Sequence, residues 1–136
     1  MEKISDGPET TESIGFNLAA KIKTGDVITI EGEIGAGKTT FIKGVLHGFG
    51  YTGNVNSPTY TLINEYQSKN KIIHIDCYRE QNLNRWLDIG IIDYLNEDNI
   101  IIIEWPQYIK KILPDYTIDI YIKHISEFKR KIKILL

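Results

Sequence analysis

The fold is decided by one stretch of the sequence, Gly32-Glu33-Ile34-Gly35-Ala36-Gly37-Lys38-Thr39, which matches the pattern G-x-x-x-x-G-K-[ST] without exception. It follows Val27-Ile28-Thr29-Ile30, a run rich in β-branched side chains that predicts a short strand. It precedes the segment from Thr39 to Gly48, where Phe41 and Val45 lie on one side of a predicted helix. A strand, a glycine-rich loop and a helix in this order are the context in which the pattern carries its chemistry.

Each residue type in the loop suits the binding of a nucleoside triphosphate with Mg²⁺. Successive backbone N–H groups form a nest for anions, and the following helix adds the positive end of its dipole. Gly35 and Gly37 let the backbone approach phosphate oxygens where a Cβ would clash. Lys38 supplies a positive charge for the β- and γ-phosphates, and the Thr39 hydroxyl is a hard oxygen ligand for Mg²⁺. The alternative is a chance glycine turn with Lys38 as a surface charge, which the complete pattern in this context disfavours.

The other segments predict an α/β fold, in which helices flank a central, mainly parallel sheet like that of P-loop NTPases. Ile14, Leu18 and Ile22 share one face of a first helix, for which Asp6 or Thr10 is the predicted cap. Ile100-Ile101-Ile102-Ile103 lacks polar alternation, which indicates a strand buried on both faces of the sheet.

Two hairpins are predicted outside this parallel centre. Strand-like segments at Tyr60 to Tyr66 and Lys71 to Cys77 flank a polar turn and predict an inserted antiparallel hairpin. Alternating segments at Thr117 to Lys123 and Lys129 to Leu135 predict a closing antiparallel pair. Between the two hairpins, a short, irregular helical stretch is predicted from the spacing of Leu83, Leu87 and Ile91.

Composition sets limits on the class of protein. The 136 residues and 42% hydrophobic content predict a single domain over residues 1–136. A net charge of -2 argues against strong autonomous binding of nucleic acid, and Lys129, Arg130, Lys131 and Lys133 are interpreted as a solvated strand face. No apolar run approaches the roughly 20 residues of a membrane span, no secretory signal is visible, and Cys77 has no partner for a disulfide. We therefore expect a cytoplasmic protein without a membrane role.

Two carboxylates are candidates for a metal site beside the loop. Glu104 ends the Ile100–Ile103 run, and Asp76 ends the weaker apolar run Ile72-Ile73-His74-Ile75. A P-loop usually needs such a carboxylate at the end of a neighbouring strand to hold Mg²⁺. The residues alone do not say which of the two holds the metal, and each could instead be an ordinary solvated strand end.

Three further positions allow two interpretations each. Ser57-Pro58-Thr59 is either a switch whose hydroxyl meets Mg²⁺ or the γ-phosphate, or a loop that starts a strand. His74 is either a proton carrier or, more commonly, a hydrogen-bonded strand histidine. Trp105 either stacks on a base or a partner, or belongs to the core or its rim. Cys77 is interpreted as a small buried apolar residue.

Five motifs in order resemble a known family, the TsaE (YjeE-type) ATPases of bacterial tRNA threonylcarbamoyladenosine synthesis. The resemblance runs from about Thr11 to Trp105. Its motifs are Thr11-Glu12-Ser13-Ile14-Gly15, which has Ile for the usual Leu, the loop from Gly32 to Thr40, Val55-Asn56-Ser57-Pro58-Thr59-Tyr60, His74-Ile75-Asp76-Cys77-Tyr78-Arg79, and Glu104-Trp105-Pro106. The segment Asn84-Arg85-Trp86-Leu87-Asp88 departs from the acidic pattern usual there, so the partner surface differs if that segment contacts partners.

The resemblance implies ATP and Mg²⁺ as cofactors and assigns roles to particular residues. Nucleotide contacts fall on Thr11, Trp105 and the loop residues Glu33, Gly35, Ala36, Gly37, Lys38, Thr39 and Thr40. The predicted metal ligands are Thr39, Asp76 and Glu104. The predicted catalytic residues are Lys38, Thr59, Asp76 and Glu104. It also implies a threonylcarbamoyl-transferase subunit and its inactive-looking paralogue as partners. The ATPase would reset that complex between turnovers and meet tRNA only through it.

The two carboxylates are predicted to divide the work. We assign the metal shell to Asp76, because its hairpin follows the Ser57-Pro58-Thr59 segment, and water positioning to Glu104. The strand ending at Glu104 is expected beside the strand ending at Glu31, since ligands collect at the carboxyl ends of parallel strands.

Rival functions leave traces that this sequence largely lacks. A small P-loop kinase would need an arginine-bearing lid, and a GTPase would carry N-K-x-D and D-x-x-G patterns, none of which is visible. A nucleotide-gated binding module with negligible turnover would look the same in sequence as a slow ATPase.

Overall fold

The computed structural model describes residues 1–55, 62–96 and 98–136. In chain order its strands are β1 (Glu2–Ser5), β2 (Val27–Glu31), β3 (Ile63–Gln67), β4 (Lys71–Asp76), β5 (Ile100–Glu104), β6 (Ile118–His124) and β7 (Arg130–Leu135). They form one seven-stranded sheet in the order β1-β7-β6-β2-β5-β4-β3.

Four α-helices and three short 3-10 turns complete these ranges. The helices are α1 (Pro8–Leu18), α2 (Lys38–Gly48), α3 (Leu83–Ile89) and α4 (Ile91–Asn96), and the 3-10 turns are Ala19–Lys21, Pro106–Tyr108 and Lys110–Ile112. None of the helices in the described ranges is long and apolar enough to cross a membrane.

The sheet has a parallel centre and antiparallel edges. Strands β6, β2, β5 and β4 run parallel to one another, whereas β3 is antiparallel to β4 and the pair β7–β1 extends β6 in antiparallel fashion. Ile30 on β2 lies opposite Glu104 on β5, so the predicted neighbourhood of these two strands is confirmed. The mainly parallel centre, the inserted hairpin and the C-terminal antiparallel strands are confirmed as well. The carboxyl ends of all four parallel strands therefore meet at one edge of the sheet.

Two apolar layers enclose this sheet. On one face, α1 and α2 cover isoleucines such as Ile28, Ile102 and Ile120. On the other face, α3 and α4 place Trp86 and Ile91 against a second set of strand isoleucines and Cys77. All five residues of β5 are buried, which explains why its sequence shows no polar alternation. Each fully buried isoleucine contributes about 1.5–3 kcal/mol of hydrophobic stabilisation.

Helices α1 and α2 approach each other unusually closely. A Cβ at Gly15 would overlap the carbonyl group of Phe41, and a Cβ at Gly44 would overlap the carbonyl group of Glu12. Glycine at both positions lets the two backbones touch, which fixes α2 against the N-terminal helix. Since α2 begins at Lys38, this contact also sets the position of the glycine loop.

Three local features differ from expectation. The residue before α1 is Gly7, with Pro8 in the first helical turn and no side-chain cap, so neither Asp6 nor Thr10 is the cap. Leu87 is 39% exposed while the adjacent Trp86 is fully buried, and the left-handed Gly90 divides the predicted helical stretch into α3 and α4. Strand β1 was not predicted, since its four residues pair only with the distant β7.

Candidate functional site

The glycine loop connects the end of β2 to the start of α2 and curls through two left-handed glycines. Gly35 has φ of 81° and Gly37 has φ of 103°, values that side chains with a Cβ rarely adopt. The loop backbone and the first turn of α2 thus present N–H groups at the carboxyl edge of the sheet, an arrangement that favours an anion. The sequence predicted that the loop backbone needs glycine at these two positions, and the positive φ of both agrees with it.

The Lys38 side chain lies inside the loop and is only 7% exposed. Its ammonium group donates to the carbonyl of Gly32 and, at 3.2 Å, to that of Glu33, and lies 4.7 Å from the ring centroid of Trp105. Burial lowers the pKa of Lys38, while the negative charges of Glu104 and Asp76 act in the opposite direction. The predicted triphosphate lysine is therefore a desolvated cation facing two carboxylates.

Asp76 and Glu104 lie directly opposite each other at the ends of the parallel strands β4 and β5. They are 6% and 3% exposed. Asp76 accepts a hydrogen bond from the Tyr78 backbone N–H at 2.9 Å, and Glu104 Oε2 lies 2.8 Å from His74 Nε2. Burial raises the pKa of Asp76, and the charge of Glu104 adds to the increase against the effects of the Tyr78 hydrogen bond, His74 and Lys38.

A cleft of about 470 Å³ opens over these groups. Its lining residues are Ile34, Gly35, Gly37, Lys38, Thr39, Thr40, Asp76, Tyr78, Glu104 and Trp105. The rings of Tyr78 and Trp105 are 5.0 Å apart, and Trp105 has the left-handed φ of 57° directly after Glu104. Trp105 thus forms one wall of the cleft.

Thr11 lies on the other side of the loop, in a second recess of about 290 Å³. Its methyl group is the nearest atom to a hypothetical Cβ on Gly37, at 3.9 Å, and its hydroxyl lies 2.7 Å from that of Ser5. Phe128 and Arg130 also line this recess, together with Gly35, Gly37 and Thr40. The loop therefore separates two concave regions, and the predicted nucleotide contacts are distributed between them.

Two side chains of the β6–β7 hairpin form hydrogen bonds with backbone carbonyls of the glycine loop. Arg130 Nε donates to the Ala36 carbonyl at 3.1 Å, and His124 Nε2 donates to the Gly35 carbonyl at 2.9 Å. Lys129, Lys131 and Lys133 are exposed, as the interpretation of a solvated face required, but Arg130 is not part of that face. Sequence patterns gave no signal for Arg130 or His124, because their roles depend on the register of a distant hairpin.

The remaining predicted site residues have different positions. Ala36 is buried, whereas the Glu33 side chain is exposed and lies beside Tyr121 and His124, away from the main cleft. Thr59 and the rest of Asn56 to Thr61 lie outside the described residues, so the predicted switch stays a prediction.

The oxygen donors in the main cleft suit Mg²⁺. Within residues 1–55, 62–96 and 98–136, no cluster of three or more His, Cys, Asp and Glu side chains is arranged as a metal site. Mg²⁺ does not need such a cage, since it commonly binds one or two carboxylates together with substrate phosphates and water. Thr39, Asp76 and Glu104 line the same cleft and offer only oxygen, which is the donor chemistry that Mg²⁺ prefers.

The sheet order and the glycine loop between β2 and α2 define a P-loop NTPase-like α/β protein. Residues 5–132 match the family model described as threonylcarbamoyl adenosine biosynthesis protein TsaE. The chain belongs to the TsaE family.

Relatives agree over most of the chain. The chain is 40% identical over 126 residues to the tRNA threonylcarbamoyladenosine biosynthesis protein TsaE of Bacillus subtilis, covering 92% of this chain and 78% of the relative. It is 30% identical over 134 residues to the protein of that name from Treponema pallidum, covering 98% and 99% of the two chains. The crystal structure of Bacillus subtilis YdiB superposes with a TM-score of 0.85 at 34% identity, covering 98% of this chain and 83% of that one.

Proposed function

We propose that this protein binds ATP with Mg²⁺ in the main cleft and hydrolyses it slowly, as one ATPase domain that serves threonylcarbamoyladenosine modification of tRNA. One observation carries the proposal: the desolvated Lys38 and the paired carboxylates Asp76 and Glu104 converge on the glycine loop. The names of the relatives, which refer to tRNA threonylcarbamoyladenosine biosynthesis, support the pathway.

The triphosphate is held by the loop. Backbone N–H groups of the loop and of the first turn of α2 bind the phosphate oxygens, and Lys38 neutralises the charge of the β- and γ-phosphates. The recess beside Thr11 accommodates the base, with the Phe128 ring and the Arg130 side chain on its wall. Trp105 closes the opposite side of the phosphate region, where its ring already lies next to the Lys38 ammonium.

Thr39, Asp76 and Glu104 hold the metal, with Asp76 as its principal carboxylate. When held there, Mg²⁺ would offset the charge of the phosphate oxygens and of the two adjacent buried carboxylates. Asp76 suits this role because its short side chain is held by the turn at Tyr78 and lines the cleft.

Glu104 orients the attacking water. Its carboxylate accepts a hydrogen bond from that water, whose oxygen attacks the γ-phosphorus while the bond to the β,γ-bridging oxygen breaks; ADP and phosphate are left, and the proton of the water is released to solvent. Positioning supplies most of the catalysis in such reactions, so a carboxylate held in one orientation is the main requirement. Thr59 is assigned to the same reaction from the sequence motif.

The partners in this proposal are a threonylcarbamoyl-transferase subunit and its paralogous partner protein in the cytoplasm. Hydrolysis resets that complex between its turnovers, and tRNA is reached through the complex. The net charge of -2 supports an interaction with tRNA that is mediated by the complex, because a negatively charged protein does not attract nucleic acid by itself.

The test combines binding and turnover. Purified protein is titrated with ATP and with GTP, each with and without Mg²⁺, and single-turnover hydrolysis is then followed with and without the purified transferase pair. We expect Mg²⁺-dependent preference for ATP, slow hydrolysis alone and faster hydrolysis with the pair. Failure to bind ATP would refute the proposal. Transfer of phosphate to a small acceptor would favour a kinase, and binding without turnover in either condition would favour a nucleotide-gated module.

A further inference from the structure

His74 is a fully buried polar residue on the strand that carries Asp76. It is 0% exposed, and its side chain lies on the same face of the sheet as Asp76 and Glu104, two residues back from the carboxyl edge. The surrounding positions on this face are Ile72, Ile100 and Ile102, all buried and apolar. A histidine in such a place replaces hydrophobic surface with polar atoms, which costs stability unless those atoms have partners.

Only one of the two ring nitrogens has a partner among the described residues. His74 Nε2 lies 2.8 Å from Glu104 Oε2, whereas the buried Nδ1 has no hydrogen-bond partner there. A carboxylate oxygen only accepts, so Nε2–H is the donor in this bond. The Tyr66 ring stacks beside the imidazole with centroids 6.5 Å apart, and Tyr51 packs against Tyr66. The imidazole is thereby confined, and its hydrogen-bond partner within residues 1–55, 62–96 and 98–136 is Glu104.

We propose that His74 is a positioning residue that fixes the orientation of the Glu104 carboxylate towards the cleft. The inference rests on the proposed function, because it gives Glu104 its task. A glutamate side chain has several rotatable bonds, so a buried glutamate next to a reacting water needs a second contact to keep one orientation. The Nε2–H of His74 occupies Oε2 and leaves the other oxygen of Glu104 for the water or the metal.

This role differs from simple packing. Leucine or methionine would fill the same space among isoleucines without burying a nitrogen such as Nδ1, which has no partner in the part of the chain that the structure describes. The second His–Glu pair in the chain, His47 with Glu12, has the same 2.8 Å separation but is about one third exposed and lies between α1 and α2, away from the cleft. His47 is therefore a matched control for the loss of a histidine–carboxylate contact as such.

The decisive variants are His74→Gln and His74→Met. Their side chains have nearly the same shape and length, but only glutamine carries an N–H donor near the position of Nε2. We expect His74→Met to lower kcat about 10- to 100-fold while KM for ATP and the affinity for ATP change little. His74→Gln should recover most of the rate, and His47→Met should hydrolyse ATP as the wild type does. Thermal unfolding of each variant reports whether it is folded.

A double-mutant cycle with Glu104→Gln tests whether His74 acts through that residue. If it does, adding His74→Met to Glu104→Gln slows hydrolysis no further, because the oriented carboxylate is already gone. Equal rates for wild type and His74→Met, equal losses in the Gln and Met variants, or an additive loss in the double variant would each overturn the inference. If His74→Met does not fold, His74→Asn replaces it, since its shorter amide cannot reach Glu104. A wild-type protein that fails to bind ATP would instead refute the proposed function.

Discussion

The ends of β4 and β5 lie side by side and each carries a buried carboxylate, yet the two carboxylates are held in different ways. Asp76 has a short side chain, and its hydrogen bond comes from the backbone N–H of Tyr78, two residues beyond the end of β4. Glu104 has a longer side chain, and its hydrogen bond involves His74 on the neighbouring strand, 30 residues away in sequence. One carboxylate is fixed by a local turn and the other by the packing of the sheet.

This difference indicates a division of labour. A carboxylate held by its own turn keeps its position whatever the neighbouring side chains do, which suits a metal ligand. A carboxylate held by a side chain from another strand depends on that partner for its orientation, which suits a group whose direction decides the rate. Three substitutions, followed in four experiments, test this difference between the two carboxylates.

The largest effect is expected from Lys38→Ala, which removes the cation that both strand ends face. The two carboxylates would remain buried without that charge, and the phosphates would lose their positive partner. We expect ATP affinity to fall by roughly two to three orders of magnitude, measured by equilibrium titration. Lys43→Ala, on the exposed side of α2, is the control and should bind ATP normally. Unchanged affinity in Lys38→Ala would remove the loop from the site.

Glu104→Gln should separate binding from hydrolysis. The amide fills the same space and leaves the loop intact, but it is a poor acceptor for the proton of water. We expect near-normal affinity for ATP with Mg²⁺ and a single-turnover rate lower by about a hundredfold or more. Glu31→Gln, at the end of the adjacent β2, is the matched control because Glu31 does not line the main cleft. A loss confined to affinity would exchange the roles of the two strand ends.

Asp76→Asn should have the opposite profile. The variant keeps the hydrogen bond from Tyr78 but loses the charge that attracts the metal. We expect the Mg²⁺ requirement for ATP binding to rise about 10- to 100-fold, measured by titrating Mg²⁺ at fixed ATP. Saturating Mg²⁺ should restore most of the hydrolysis rate. If the rate stays low at saturation while affinity is normal, Asp76 rather than Glu104 positions the water.

The smallest effect concerns stability without nucleotide or metal. Burial raises the pKa of Asp76 above its unfolded value of about 3.9. Its contribution to folding is therefore fully present below the unfolded pKa and is lost as pH rises through the folded pKa. We expect Asp76→Asn to unfold a few degrees above the wild type at neutral pH, and the gap to close as pH falls. Thermal unfolding in chelator-containing buffer tests this, with the exposed Asp88→Asn as control. A gap that widens in acid would contradict it.

Much of the parallel centre was predictable because its signals are local. The β-branched run before the loop, the two glycines and the unbroken isoleucines of β5 each specify their own element, and the predicted pairing of β2 with β5 is confirmed. The convergence of Lys38, Asp76 and Glu104 on one cleft also agrees with the sequence, since strand ends at one sheet edge are necessarily neighbours.

The missed features depend on contacts between distant segments. The His74–Glu104 bond requires β4 to lie beside β5 in one particular register, and the hairpin signal between β3 and β4 does not specify the second neighbour of β4. In the sequence, Arg130 is one of four basic residues on a predicted strand. Its hydrogen bond to the Ala36 carbonyl depends on the position of β7 beside the loop, which the sequence does not specify. The spacing of Leu83, Leu87 and Ile91 predicted a helical stretch but gave no signal that Trp86 is the buried residue of α3.

The backbone contact between α1 and α2 means that even small substitutions are not tolerated at Gly15 and Gly44. Alanine, normally the mildest replacement, would force its methyl group at Gly15 or Gly44 into a carbonyl of the facing helix. The helices would have to separate, and α2 carries Lys38 at its first position, so the loop would shift with it. The geometry of the loop therefore depends on Gly15 and Gly44, although neither residue lines the main cleft. Replacement of glycine by alanine, which is usually regarded as conservative, would disturb the site from a distance.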